Sequence, residues 1–228
     1  MRFEGFPGES IQFLSGLQGN NNKMWFEAHR QDYEEYVKAP MFAFIVEAGR
    51  AIQQFDPPIV AEPRINGSLY RIYRDTRFSR SKQLYKTHAA AIFWHRDGGK
   101  HETAGYYFQF DSRRYMLGGG LYMPTSEGLQ LIREYIADHA DVWEKVIANR
   151  NLKRLFGGIY GETLKRPPRG FNPDHPMIKS IKMKQFLVGL EEQIGKVFHT
   201  REFLKETTSA FKAMSPLIRC LNTALRLE

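Results

Sequence analysis

One short stretch of the chain concentrates the residue types that bind negatively charged groups. Residues 71–86, RIYRDTRFSRSKQLYK, contain four arginines, two lysines and a single acid. A guanidinium matches two oxygens of a phosphate or carboxylate at once, so arginine-rich clusters are typical of sites that hold such anions. We therefore predict that this stretch binds an anionic, phosphate-bearing small molecule. Its candidate ligand-binding residues are Arg71, Arg74, Asp75, Arg77, Lys82, Tyr85 and Lys86.

Three interpretations of this stretch differ in the role that they give to Asp75. In a binding site, its carboxylate orients the neighbouring arginines. In an enzyme that acts on a phosphate ester, Asp75 is the catalytic candidate, as a general base or a metal ligand. In a purely structural network, Asp75 forms a salt bridge with Arg74 or Arg77. One acid cannot neutralise six cations, so such a network needs further carboxylates, which could come from Glu27, Asp32, Glu34 and Glu35. Charge clusters mark function only statistically, so the sequence leaves the three open.

The charge of the whole chain also favours an anionic partner. The net charge is +8, and its excess lies in residues 61–120 and 121–228, whereas residues 1–60 are net acidic. A nucleic-acid or protein interaction module that uses this basic surface is therefore a further alternative, and its affinity would fall steeply with salt. A second basic patch could join the first or remain a solvated surface. It consists of Lys165, Arg166, Arg169, Lys179, Lys182 and Lys184.

The cationic stretch begins where strand-like patterning begins. Four segments rich in aromatic and β-branched residues are predicted strands: SLYRIYR (68–74), AAAIFWHR (89–96), GYYFQFD (105–111) and YMLGGGLYM (115–123). Their connections are short, which favours antiparallel pairing, because parallel strands need a long crossover. In a strand over 69–75, Arg71, Tyr73 and Asp75 share one face. Arg77 and Lys82 then lie in a loop, where binding residues concentrate.

Helical patterning precedes and follows these strands. Asn21 or Asn22 is predicted to cap a helix that starts at Lys23, and Pro40 fits the first turn of a helix over 40–54. Thr125 or Ser126 is predicted to cap a later helix. Further helices are predicted over 139–149, 151–157, 176–195 and 200–225, the last interrupted at Ser215-Pro216.

The order of these elements predicts an α+β fold. Residues 1–60 are expected to be helical, 61–124 to form an antiparallel sheet of at least four strands, and 125–228 to be helical again. A length of 228 residues is compatible with one domain, and we expect a single domain over 1–228.

Several other features are expected to be structural. For the run Gly118-Gly119-Gly120, a bulge or close backbone packing is favoured over an anion-binding nest of N–H groups. The spacing of His88, His95 and His101 matches no zinc motif, so neither a metal nor another cofactor is expected. Cys220 lies among leucines at helical spacing, which indicates a core position.

The chain reads as a soluble protein of the cytoplasm. Its first ten residues, MRFEGFPGES, have no apolar run of the kind that a signal peptide contains. No stretch reaches the roughly 18 apolar residues of a membrane span, so no membrane partner is expected. Cys220 is the only cysteine, which excludes an internal disulfide.

The cationic stretch resembles the signature of an uncharacterised family, domain of unknown function 2461. The matching residues are Arg71, Arg74, Asp75, Arg77, Phe78, Lys82, Tyr85 and Lys86. Further matches are Asn21-Asn22 with Trp25-Phe26, and the glycine-rich strand that ends in Gly120, Tyr122 and Pro124. Ser81 stands where the signature has an acid or amide, which weakens a metal or acid–base role. The resemblance implies no activity, because the family has none assigned.

Overall fold

The protein has an α+β fold built on one five-stranded antiparallel sheet. A computed structural model describes residues 2–75 and 83–227. The strands follow each other in the sheet in sequence order. They are β1 (Ile59–Val60), β2 (Ala89–His95), β3 (Gly105–Phe110), β4 (Arg114–Leu121) and β5 (Phe186–Gln193). Helices precede and follow the strands, which confirms the predicted fold class.

The helices fall into an N-terminal group and a C-terminal group. The first group is α1 (Gly8–Gly19), α2 (Lys23–Ala28), α3 (Arg30–Asp32), a π-helical segment (Tyr33–Lys38) and α4 (Ala39–Gln53). The second is α5 (Ser126–Asp138), α6 (Ala140–Ile147), α7 (Arg150–Phe156), α8 (Ile178–Ile181), a 3₁₀ turn (Lys196–His199) and α9 (Glu202–Ala224). Among the described residues, no helix has both the length and the apolar character needed to cross a membrane.

Side-chain caps fix the start of two helices near the predicted positions. The side chain of Asn22 accepts a hydrogen bond of 3.0 Å from the backbone N–H of Trp25, and α2 begins at the next residue. The hydroxyl of Thr125 likewise accepts one from the N–H of Gly128 and caps α5. Each cap satisfies a backbone N–H that has no partner within its helix.

Helix α9 and the N-terminal helices cover one face of the sheet, which we call the covered face. Phe93 and Tyr106 project from neighbouring strands onto Phe211 of α9, with ring centroids 6.0 and 5.3 Å apart. Phe108 is fully buried and contacts the rings of Phe6, Phe44 and Phe203. Cys220 is buried in this helix, and burial raises the pKa of its thiol to about 11, in agreement with the predicted core position.

The predicted helix over residues 176–195 is wrong. Only Ile178–Ile181 is helical, and Phe186–Gln193 forms β5, which pairs with β4 from Arg114↔Gln193 to Leu121↔Phe186. The segment FLVGLEEQ has leucine and glutamate at spacings compatible with a helix. Backbone pairing with the free edge of β4 overrides that local preference, because strand formation depends strongly on tertiary context.

The predicted interruption of the last helix at Ser215-Pro216 is also wrong, because α9 runs through both residues. Pro216 has no N–H to donate to the carbonyl of Lys212 one turn earlier. The hydroxyl of Ser215 donates a hydrogen bond of 2.9 Å to that carbonyl instead. This side-chain bond replaces the missing backbone bond, so the helix continues.

Residues 68–74 form isolated bridges instead of one continuous strand. Leu69 is bridged to Ala91 of β2, and Tyr73 is bridged to Tyr85. The predicted alternation nevertheless holds, since Arg71, Tyr73 and Asp75 are exposed and Ile72 is buried. The chain thus leaves the edge of β2 within this segment and pairs with residues 84–86.

Candidate anion-binding site

A cavity of about 840 Å³ lies on the face of the sheet opposite α9, which we call the open face. Side chains from β2, β3 and β4 form its floor, including Ala90, Ile92, Tyr107 and Met116. Pockets that hold small molecules typically measure about 300–1,000 Å³ and are lined mainly by apolar groups. The size and the floor of this cavity therefore suit a small-molecule ligand.

The glycine run of β4 separates the cavity from the covered face. A Cβ atom on Gly118 would meet nothing closer than 3.7 Å, at the Cβ of Tyr107 and the carbonyl of Val188. A Cβ on Gly119 would lie 2.8 Å from the sulfur of Met214 in α9, so this glycine lets the helix approach the sheet. Gly120 has φ +120°, and its Cβ would lie 1.9 Å from the carbonyl oxygen of Phe186. Close packing therefore explains Gly119 and Gly120, and Gly118 leaves room in the cavity.

Two lysines flank one tyrosine ring at the β2 side of the cavity. The ammonium of Lys86 lies 5.1 Å from the centroid of the Tyr70 ring, and that of Lys100 lies 4.5 Å from the same centroid. Lys100 also donates to the backbone carbonyls of Asn66 and Gly67. The backbone N–H of Tyr70 donates to Ala90 of β2, which fixes the ring beside the floor of the cavity. We call Tyr70, Lys86 and Lys100 the cationic wall.

Burial and like charges make the protonated forms of both lysines less favourable than they are in water. Desolvation lowers the pKa of Lys86, and the nearby charges of Arg71 and Arg74 lower it further. Desolvation also lowers the pKa of Lys100, with a smaller contribution from Arg64. Opposite charge nearby would have the reverse effect, because it stabilises the protonated form. The two lysines therefore gain from a negatively charged ligand.

The other titratable groups in the cavity provide neutral hydrogen-bonding groups. Burial, together with Lys86 and Arg74, lowers the pKa of His88 to about 4, so its imidazole is neutral at physiological pH. Burial and Lys100 lower the pKa of His101 in the same direction. Burial raises the pKa of Tyr70 to about 12 and also raises that of Tyr107, so both keep their hydroxyl protons.

Within residues 2–75 and 83–227, no aspartate or glutamate lines this cavity. Two lysines thus face a largely apolar space without an opposing carboxylate from its described lining. A buried charge is costly unless it is paired. Glu62 does not line the cavity, but its charge lies near enough to Lys100 to raise the pKa of that lysine against the larger lowering by desolvation.

Of the predicted site residues that the structure describes, Lys86 lines the cavity, whereas Arg71, Arg74, Asp75 and Tyr85 do not. Arg71 and Arg74 lie close enough to Lys86 to lower its pKa by repulsion. The side chains of Arg71 and Asp75 approach to 4.0 Å at an exposed position. Arg74 donates from Nε to the backbone carbonyl of Tyr85 over 3.2 Å, which positions its guanidinium beside the start of β2.

Tyr85 lies in the core and holds helix α2 against the predicted site. Its ring is 2% exposed and stacks on Phe26 with centroids 4.2 Å apart. The side chain of Asn21 accepts from the N–H of Tyr85 and donates to its carbonyl, at 2.9 and 3.0 Å. These contacts connect the Asn21-Asn22 and Trp25-Phe26 pairs to the cationic stretch.

Some predicted residues lie elsewhere. Arg77 and Lys82, with Phe78, Arg80 and Ser81, lie outside the residues that the structure describes. The six residues of the second basic patch are all described, and none of them lines the cavity. One of them, Lys184, lies 3.0 Å from a carboxylate oxygen of Glu162. The second patch therefore does not contribute to this site.

The histidines divide between the two faces of the sheet. His88 and His101 line the cavity, whereas His95 is buried and its backbone N–H bonds to the hydroxyl of Thr103. The described part of the chain contains no group of three or more histidine, cysteine or acidic side chains arranged to hold a metal ion.

Sequence reasoning missed Tyr70, Lys100, His88, His101 and Tyr107 as parts of one site. Lys100 and His101 lie in a turn between β2 and β3, and only the path of that turn brings them to Tyr70. Part of the site could have been found from the alternation of side chains between the two faces of each strand. Once the antiparallel pairing is known, this alternation places Tyr107 and Gly118 on the same face.

A family comparison identifies the family to which the chain belongs. The family described as conserved hypothetical protein (DUF2461) matches residues 9–219. The chain belongs to this family. The match confirms the predicted family and extends from α1 almost to the end of α9. No curated protein matches the chain. The family carries no assigned activity, so the function has to be argued from the site itself.

Proposed function

We propose that the protein binds a small, phosphate-bearing anion in the open-face cavity. Lys86 and Lys100 contact the anion, and Arg71 and Arg74 contribute positive potential at the rim. The observation that carries this proposal is the pair of lysines close to the Tyr70 ring, in a cavity whose described lining holds no carboxylate.

The energetics of the wall favour a doubly charged oxyanion over a neutral ligand. Each lysine has a lowered pKa because its charge is partly desolvated and lies near other cations. A phosphate between the two ammonium groups would offset both effects and accept charge-assisted hydrogen bonds. Such bonds contribute about 1.5–3 kcal/mol each. The neutral imidazole of His88 can donate a further hydrogen bond without requiring another proton.

The shape of the site favours a small molecule over a nucleic-acid strand. Lys86 belongs to the cationic stretch and faces a concave space, whereas a docking surface for nucleic acid presents its cations along an open groove. Asp75, on which the enzyme interpretation depends, does not line the cavity, and its side chain is 41% exposed. Anion binding therefore accounts for more of the described geometry than either alternative.

The test compares two double variants of equal net charge. Lys86→Met with Lys100→Met removes the wall, and Lys179→Met with Lys196→Met removes two exposed lysines outside the cavity. Isothermal titration calorimetry with inorganic phosphate is expected to show affinity lowered about tenfold or more in the first variant only. Unfolding temperatures without phosphate verify the fold, and the wall variant should be no less stable than the wild type.

Two outcomes would overturn the proposal. In one, the wild type binds no phosphate and no phosphate ester at low ionic strength. In the other, both double variants bind as the wild type does, which would place the anion elsewhere on the surface. A loss of affinity that is equal in the two variants would indicate a response to net charge alone and would also count against the cavity.

A further inference from the structure

We infer that Lys86 forms an imine with the carbonyl group of an aldehyde or ketone that also carries a phosphate. This inference rests on the proposed function and adds the chemical class of the ligand. The observation behind it is a difference between the two lysines of the cationic wall. The ammonium of Lys100 has hydrogen-bond acceptors, whereas that of Lys86 has none among the described residues and lies beside an aromatic ring.

Polar groups hold Lys100 in its charged form. Its ammonium donates to the backbone carbonyl of Asn66 over 3.4 Å and also to that of Gly67. The negative charge of Glu62 raises the pKa of Lys100 and so offsets part of the lowering by desolvation. Hydrogen bonds to a charged group and an opposite charge nearby both favour the charged form. Lys100 is therefore the residue that anchors the phosphate.

The surroundings of Lys86 favour a neutral amine instead. Its backbone N–H donates to the carbonyl of Ile72 over 2.8 Å, which fixes the residue just ahead of β2. Desolvation and the charges of Arg71 and Arg74 all lower the pKa of its side chain, and no acid in the described part of the chain is near enough to raise it. Partial burial next to other cations is an arrangement that makes a lysine amine nucleophilic at neutral pH.

The reaction consists of an addition and a loss of water. The neutral Nζ of Lys86 attacks the carbonyl carbon, a C–N bond forms, and the electron pair of the C=O π bond moves to oxygen. Both hydrogens of the amine leave with that oxygen as water, which gives the C=N bond. The imine nitrogen then takes a proton from solvent and becomes positively charged. The cationic wall thus keeps two positive charges beside the phosphate, and the step needs no oxidant or other co-reactant.

The cavity brings the groups for this reaction together. The ammonium groups of Lys86 and Lys100 both lie within 5.1 Å of the Tyr70 ring centroid, so a small molecule can contact both. His88 lines the same cavity, and the charge of Lys86 contributes to the low pKa of its imidazole. A neutral imidazole both donates and accepts a hydrogen bond. His88 is therefore suited to move a proton from the amine to the departing oxygen.

The experiment traps the imine in the full chain. The protein is incubated with glycolaldehyde phosphate, and sodium borohydride then reduces any imine to a stable secondary amine, which is mapped by mass spectrometry of the peptides. Glycolaldehyde, the same aldehyde without the phosphate, is the matched probe. Lys86 is expected to be labelled about tenfold more by the phosphate-bearing aldehyde, because one charge-assisted contact with Lys100 corresponds to about that factor in affinity. It should also be labelled more than Lys179, an exposed lysine outside the cavity.

Three variants locate the effect. Lys86→Arg keeps the positive charge but removes the nucleophile, so the phosphate-dependent label should be lost. Lys179→Arg is the matched change outside the cavity and should keep it. Lys100→Met keeps the nucleophile but removes the anchor, so labelling by glycolaldehyde phosphate should fall toward the level seen with glycolaldehyde. The peptide map of the wild type decides the question if Lys86→Arg does not fold.

The outcomes separate this inference from the anion site. If the wild type binds inorganic phosphate in the calorimeter but borohydride traps no label on Lys86, or traps it mainly on Lys100, the imine is overturned and the anion site remains. Equal labelling of Lys86 by the two aldehydes also overturns the inference, since the phosphate then has no part in the reaction. If the wild type binds neither inorganic phosphate nor glycolaldehyde phosphate, the anion site is overturned together with the imine. Phosphate-dependent labelling of Lys86 that requires Lys100 supports both.

Discussion

The two faces of the sheet are formed by the same strands but have different surroundings. On the covered face, Phe93, Tyr106 and Phe108 pack against helices and are fully buried. On the open face, alternate residues of the same strands, such as Ile92 and Tyr107, border a cavity. Neighbouring residues of one strand therefore differ in their surroundings, since one set packs in the core and the other lines a cavity.

The comparison shows that the role of a glycine in a strand depends on the face of the sheet to which its side chain would point. Gly119 allows Met214 of α9 to approach, whereas Gly118 opens the cavity one residue earlier. Both residues have the same type and the same strand conformation. Only the side to which a Cβ would point separates a glycine that allows close packing from one that leaves room in the cavity.

The largest expected effect comes from removing a ring on the covered face. Phe108→Ala should lower the free energy of unfolding by about 3–5 kcal/mol, because it leaves a void among Phe6, Phe44 and Phe203. Tyr107→Ala is the matched change on the open face and should cost less than half as much, since its ring borders an existing cavity. Urea unfolding measures both, and equal losses would contradict the division between faces.

The glycine run gives a finer comparison within three residues. Gly120→Ala should destabilise the protein by about 3 kcal/mol or more, because φ is +120° and the methyl would meet the Phe186 carbonyl. Gly119→Ala should cost about 1–3 kcal/mol, since Met214 can give way only in part. Gly118→Ala should be neutral or stabilise by up to about 1 kcal/mol. Thermal unfolding checks the order, and a Gly118→Ala variant as unstable as Gly120→Ala would contradict it.

A further expected effect is a dependence of stability on pH through His88. Its pKa is about 4 in the folded protein, against an ordinary value of 6.5 for a solvated imidazole. Between these values the unfolded chain binds a proton that the folded protein does not, so stability is full above pH 6.5 and falls as the pH drops toward 4. After allowance for solvent screening, the loss is on the order of 2 kcal/mol.

His88→Gln provides the check on that dependence. The variant should show a shallower fall in unfolding temperature between pH 6.5 and 4 than the wild type. The fall contributed by other groups should remain. If the fall in unfolding temperature with pH is the same in the variant and the wild type, His88 does not contribute to it. The charged imidazolium would then be stable in the folded protein despite its burial and the nearby charges of Lys86 and Arg74.

Local sequence signals predicted much of the fold. Strands β2, β3 and β4 were predicted because aromatic and β-branched residues alternate between turn-forming clusters, and the caps of α2 and α5 followed from Asn22 and Thr125. β5 could not be predicted in the same way. Its sequence suits a helix, and the edge of β4, more than 60 residues away in the chain, decides its conformation.

The candidate site was predicted only in part for a related reason. Arginine and lysine density drew attention to residues 71–86, and Lys86 does line the cavity. Lys100 could not be predicted, because nothing in the local sequence indicates that its ammonium returns to Tyr70. The roles of Arg71, Arg74, Asp75, Arg77, Lys82, Tyr85 and Lys86 in binding stay predictions.

The last turn of α9 sets the time at which the site can be completed during synthesis. The side chain of Asn222 donates to the carbonyl of Ala104 and accepts from its N–H, at 3.1 and 2.9 Å, and so holds the end of the turn that carries Lys100. These residues are 118 positions apart. At roughly 5–20 residues per second, about 6–24 s separate their synthesis. The contact that holds the end of the Lys100 turn therefore cannot form until Asn222 has left the ribosome.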